Sequence, residues 1–240
     1  MDSHIFPAWM GKHIRGEGPL LSVPTNAESD PGFIFRHGIY DQIVCDSCEK
    51  SFGPADKYFA EFNQQRANVQ IITKGATRAH IYSGWNQALI QRFFLACLFR
   101  AHLCKRGPFA RFDLGPYAEK LRHILLGPVL GVDRDFDTLL LRETHVVAES
   151  MVAPVRVRME AVNVARMSVP GFTAIVRIDQ RPFPKFGRSF LLGVNSEICM
   201  AEMDEVHPDL MSGLVEAERI HGERLDRMVD SQMNKKTGPV

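Results

Sequence analysis

Residues 83–106 constrain the fold of this chain more than any other stretch. Trp85, Leu89, Ile90, Phe93, Phe94, Cys97, Leu98 and Ala101 recur at helical spacing yet cover most of a helix circumference. A surface helix keeps a broad polar face; this one does not, so the remainder of the chain has to enclose it. Ser83 is its expected cap. A chain of 240 residues can build the core this requires without disulfide staples. The longest apolar run, residues 93–99, falls far short of the roughly 20 residues that cross a bilayer. No membrane partner is expected.

The enclosing material follows Gly131, where the texture changes. Residues 138–147, 152–164, 172–178 and 189–194 are rich in Val, Ile, Leu and Phe with partial alternation, which predicts an antiparallel sheet. A strand is also expected at 69–72, and a turn at 181–187. Tyr117, Leu121, Ile124 and Leu125 predict an amphipathic helix over 116–126. His207 and Pro208 open a final helix to about residue 230, and 231–240 reads as a frayed tail. At the other end, Ile5 and Phe6 should dock as a leading strand or turn that Pro7 closes, with a long loop over 12–30. The fold class is α+β. A small N-terminal module, 1–65, precedes an α+β body, 66–230.

Chemistry is suggested by one segment. A short strand, 38–44, leads into Cys45-Asp-Ser-Cys48-Glu49, and Pro54, Tyr58, Phe59 and Phe62 then have helical spacing. Two sulfurs ahead of a helix lie near the positive end of its dipole, which favours thiolate. They are also half of a structural zinc site, which needs four ligands. His4, His13 and His37 could complete it, His37 being the nearest in sequence. The alternative is a pair of reduced cysteines in a small core. A thioredoxin-like role is not expected, because the strand and helix alternation of that fold is absent. Glu49, Asp56 and Glu61 could hold magnesium or serve as a solvated helix face. Cys97 and Cys104, with His102 beside them, read as packing.

Five cysteines, an odd number, and no apolar leader argue for a reducing, cytoplasmic setting. The net charge of +1 conceals an uneven distribution. Arg66, Lys74, Arg78, Lys105, Arg106 and Arg111 belong to a basic middle, whereas 197–230 is strongly acidic. The basic residues could meet nucleic acid or an acidic protein surface. Alternatively the acidic stretch packs on them.

The strings Ser3-His4-Ile5-Phe6-Pro7 and Cys45-Asp-Ser-Cys48-Glu49-Lys-Ser-Phe52, continuing to Asp56-Lys-Tyr58-Phe59-Ala-Glu61, resemble the HNH-like treble-clef family of bacterial and phage proteins. In that family a first Cys-x-x-Cys precedes a Ser-His-Ile-x-Pro string, and a second one heads a helix. The resemblance covers about the first 62 residues. It implies zinc held through Cys45 and Cys48, and His4 as the base that would activate water for phosphodiester cleavage with a divalent metal such as magnesium. The first knuckle has no counterpart here, and on the helix where the family carries a terminal His or Asn, residues 51–62 hold no His. The resemblance therefore implies ancestry more strongly than cleavage. The expectation is a degenerate nucleic-acid-associated protein from a bacterium or mobile element. The alternative is a non-enzymatic protein-binding module, such as a phage or defence-linked inhibitor.

Overall fold

The computed structural model describes residues 3–15, 20, 21, 34, 35, 40–74, 77–145, 148 and 150–204. In chain order the elements are β1 (Ser3–His4), α1 (Ala8–Arg15), β2 (Leu20–Leu21), β3 (Ile34–Phe35), β4 (Tyr40–Asp41), α2 (Asp46–Gln64), β5 (Gln70–Lys74), β6 (Thr77–Tyr82), α3 (Gln87–Leu103), α4 (Tyr117–Leu126), β7 (Thr138–Glu143), β8 (Val152–Met159), β9 (Val162–Val169), β10 (Phe172–Arg177) and β11 (Ile198–Met203). Short 3-10 turns stand at Gly107–Phe109, Arg134–Phe136 and Lys185–Phe190. The helix predicted over 207–230 and the tail lie outside the described residues, as does most of the loop predicted over 12–30.

The helix that had to be enclosed is α3, whose residues 90–101 are all buried. Its cap is Asn86, whose Oδ1 accepts from Ala88 N and Leu89 N; Ser83 instead donates to Glu197. Three polar side chains are enclosed along with the apolar ones, each hydrogen-bonded to a different element, although the buried Arg100 Nε has no hydrogen-bond partner. Gln91 donates to the carbonyls of Asp133 and Phe136 at 2.9 Å. Arg92 donates to the Leu125 and Gly127 carbonyls at the end of α4. Arg100 pairs with α2, as described below.

Behind α3 stands a seven-stranded sheet in the order β5-β6-β11-β7-β10-β9-β8. The sheet is mixed, because β11 runs parallel to β7 while every other pair is antiparallel. Interior strand β10 alternates between the two faces of the sheet. Phe172, Ala174 and Val176 join α3, α2 and α4, while Ile175 joins Leu139, Val164, Phe183 and Leu191 on the opposite face. The strand predicted over 152–164 is two strands, since Glu160 and Ala161 turn the chain with φ of 42° and 70°. Residues 189–194 are not a strand; Leu191 makes a single bridge to Leu139.

Helix α2 begins at Asp46, so Pro54 is interior and not at the helix start. Here α2 packs antiparallel to α3. Phe59 stacks on Phe93 with ring centroids 4.0 Å apart, and Arg100 near the end of α3 meets Asp56 near the middle of α2 and Glu49 at its head. The amino end docks on this pair: Ile5, Phe6 and Met10 are buried in the same core, and Pro7 leads into α1 instead of closing a strand. That core runs without interruption across residue 65, from α1 and α2 to the sheet.

Candidate functional site

Strand order and helix packing bring the head of α2 together with β1, β4 and the segment after α3. Cys45 is the N-cap of α2, with extended backbone and no side-chain cap bond. Its thiol is exposed; that of Cys48, one turn later, is half-buried. The two sulfurs are 3.4 Å apart, and Cys45 Sγ is 3.1 Å from Ser47 Oγ. Hydrogen bonding from Ser47, then from the backbone and side chain of Cys48, pushes the Cys45 thiol down to about 7. Burial and the neighbouring Cys45 push Cys48 the other way. One turn of helix thus separates an exposed, readily ionised thiol from a sheltered, protonated one.

Two acids of α2, Glu49 and Asp56, are occupied. Ser3 Oγ, on β1, donates to Glu49 Oε2 at 2.6 Å, and Arg100 Nη2 donates to Glu49 Oε1 at 3.2 Å. Arg100 also grips Asp56 through both terminal nitrogens, at 2.7 and 3.2 Å. The guanidinium is 1% exposed and lies 4.8 Å from the centroid of the Phe52 ring. Burial works against its charge, but the Asp56 and Glu49 carboxylates outweigh burial and keep it protonated. Glu49 and Asp56 therefore serve an ion cluster around the buried Arg100. Among the described residues no three His, Cys, Asp or Glu side chains converge as metal ligands. A structural zinc would need two ligands beyond the two cysteines, and His37 lies outside the described residues.

Opposite this cluster, β1 pairs with β4, Ser3 with Asp41 and His4 with Tyr40. His4 is half-buried on that strand. Asp41 anchors the segment after α3: Cys104 Sγ is 3.7 Å from Asp41 Oδ2, and Arg106 Nε is 3.5 Å from Oδ1. Lys105, Arg106 and Arg111 are exposed there, Arg106 at 79%. Cys97 and Cys104 are buried, and burial raises both thiols, in keeping with a packing role.

The six basic residues singled out in the sequence do not form one surface. Helix α2 has 19 residues, and at 1.5 Å per residue spans roughly 28 Å. Lys105 and Arg106 stand by its head, whereas Arg66 follows its tail, bonded to Asn63 Oδ1 at 2.8 Å and near Pro170 O at 3.4 Å. Arg78 pairs with Glu202 at 2.8 Å, beside His80 at 2.6 Å from the same carboxylate. The first part of the acidic stretch therefore does neutralise part of the basic middle. The Lys74 side chain lies outside the described residues.

The sequence reading does not single out Arg100, which organises the site. Its position within an otherwise apolar helix face was the available signal. No family model, curated protein or solved structure matches this chain.

Proposed function

We propose that the chain is a nucleic-acid-associated protein of the HNH-like treble-clef kind, contacting phosphates with Lys105, Arg106 and Arg111 beside the head of α2. The observation that carries this reading is that the two distant strings of the resemblance meet. Ser3 of the first bonds Glu49 of the second at 2.6 Å, across 46 residues. The exposed basic segment is anchored on Asp41, whose strand pairs with the strand bearing His4.

Phosphate contacts release counterions, so association should weaken steeply with salt. The test is fluorescence anisotropy of a labelled DNA duplex and of a labelled single strand, titrated with the full chain over a range of salt. The variant Lys105→Ala/Arg106→Ala/Arg111→Ala should flatten the duplex slope of log K against log salt by up to about 2.7. Equal slopes for the variant and the parent would remove these residues from the interface. Nicking that needs a divalent metal and disappears in a folded His4→Ala variant would place His4 as the base. Binding without nicking would leave a non-cleaving relative.

A second reading, a protein-binding module, is favoured by a different surface. Leu126, Val129 and Leu130, the last 91% exposed, stand together at the end of α4. No nucleic-acid association together with a stably co-purifying protein would select it.

A further inference from the structure

We infer that Cys45 and Cys48 form a dithiol site that exchanges with low-molecular-weight disulfides, Cys45 being the attacking sulfur and Cys48 the resolving one. This is independent of nucleic-acid association. Its warrant is geometric. Both cysteines are reduced, with their sulfurs 3.4 Å apart, on residues three apart at the start of a helix. Closing that gap to a disulfide's roughly 2.05 Å is a side-chain movement for neighbours on one helix face. Exposure assigns the order. Cys45 can be reached by a disulfide from solvent, whereas Cys48 is half-buried behind it. The first turn of α2 favours negative charge on a sulfur at the N-cap. Asp46 and Glu49 oppose this, but Glu49 is bound by Arg100 and Ser3. The sheet is not that of a thioredoxin, yet exchange depends on the local arrangement of the two sulfurs and not on the fold around them.

In the first step the Cys45 thiolate attacks one sulfur of R–S–S–R. A Cys45–S–S–R bond forms and one RS⁻ leaves. The Cys48 thiolate then attacks Cys45 Sγ, forming the Cys45–Cys48 disulfide and expelling the second RS⁻. Two electrons pass from the protein dithiol to the incoming disulfide. The two protons lost by the cysteines are taken up through solvent by the leaving thiolates.

The test equilibrates the full chain with reduced and oxidised glutathione at a series of ratios, with and without a zinc chelator. Acid quenching, alkylation and peptide mass spectrometry then assign the products. The expected result is a Cys45–Cys48 disulfide that follows the glutathione ratio reversibly. Cys48→Ser should accumulate glutathione on Cys45 at least about tenfold above the parent chain, and Cys45→Ser should abolish both species. Circular dichroism checks that each variant is folded. The inference is overturned if the parent pair stays reduced at every ratio, or if folded Cys48→Ser carries no glutathione on Cys45. Stoichiometric zinc that keeps both thiols unreactive until chelated would also overturn it, assigning the pair to a metal.

Discussion

At the scale of single residues, backbone geometry and local hydrogen bonding make sharper statements than residue type alone. Gly171 turns the chain between β9 and β10 with φ of 82°, and a Cβ there would lie 2.2 Å from Arg142 Nη1 and 3.1 Å from Arg66 Nη1. Arg142 donates to the Gly171 carbonyl and covers the Phe172 ring at 5.0 Å, so it cannot swing away without losing both contacts. Gly171→Ala should therefore cost about 2 kcal/mol, from left-handed backbone and displaced arginines together, measured by urea unfolding. A cost below a few tenths would mean that the turn relaxes. Cys45 gives a pH statement. Its thiol is pushed down to about 7 while that of Cys48 is raised. Alkylation of Cys45 should rise with pH through a midpoint near 7 as thiolate forms, whereas Cys48 should require more alkaline solution. Mass-resolved labelling rates from pH 5 to 10 distinguish the two sites, and identical profiles would contradict the asymmetry between them.

Between elements, the α2–α3 interface depends on one ion cluster set among aromatic rings. Phe59 stacks on Phe93 and meets Phe94 edge-on at 5.0 Å, so the middle of the interface is apolar; toward the α2 head it becomes ionic at Arg100. Replacing Arg100 with Met keeps the volume but leaves the Glu49 and Asp56 carboxylates facing each other without their cation. The loss should be about 3 kcal/mol, because removing one partner leaves partly buried charge uncompensated. Arg100→Met with Asp56→Leu should lose less than Arg100→Met alone, since the second change removes one of the stranded charges. Denaturant midpoints of the three proteins measure this, and a double variant no better than the single one would show that the arginine acts mainly by packing on Phe52. Legibility follows the same division. Helix α3 was readable because its apolar positions leave no solvent face, and the core strands because β-branched residues crowd them. β6 was not readable, since Arg78 and His80 share a face with buried Tyr82 and are tolerated there only because Glu202 on β11 faces them. β11 was hidden in turn at the start of the acidic stretch, and the turn at Glu160 and Ala161 lacks the Asn or Gly that usually marks one. At the candidate site the cysteine pair was visible in the sequence, but the Ser3–Glu49 contact and the Arg100 cluster depend on long-range packing that local spacing cannot encode.

For the whole molecule, the consequential question is whether the amino-terminal part melts with the rest or apart from it. The sequence predicts a module over 1–65 ahead of a separate body, as the resemblance implies. The packing of the described residues points to coupling. Ile5, Phe6 and Met10 are buried in the core that includes Phe59, Phe93, Phe172 and the helix-facing side of the sheet, and Phe6 meets Phe109 at 5.8 Å. Burying such side chains contributes roughly 1.5–3 kcal/mol each, so separation from the body would expose apolar surface on both sides. The chain's two tryptophans report on the two parts. Trp9, on α1, is 6.3 Å from Phe59, and Trp85, just before α3, is 5.1 Å from Phe62. Single-tryptophan variants, Trp9→Phe and Trp85→Phe, followed by fluorescence in urea alongside far-ultraviolet circular dichroism, should give coincident transitions once each variant's own change in stability is allowed for. Coincidence would mean that nothing bound at the head of α2 can act on the amino end without drawing on the stability of the sheet. A distinct early transition reported only by Trp9 would instead separate the amino-terminal part as its own unit. Ligands of the Cys45–Cys48 end would then be expected to stabilise that transition alone, by mass action on the part they contact.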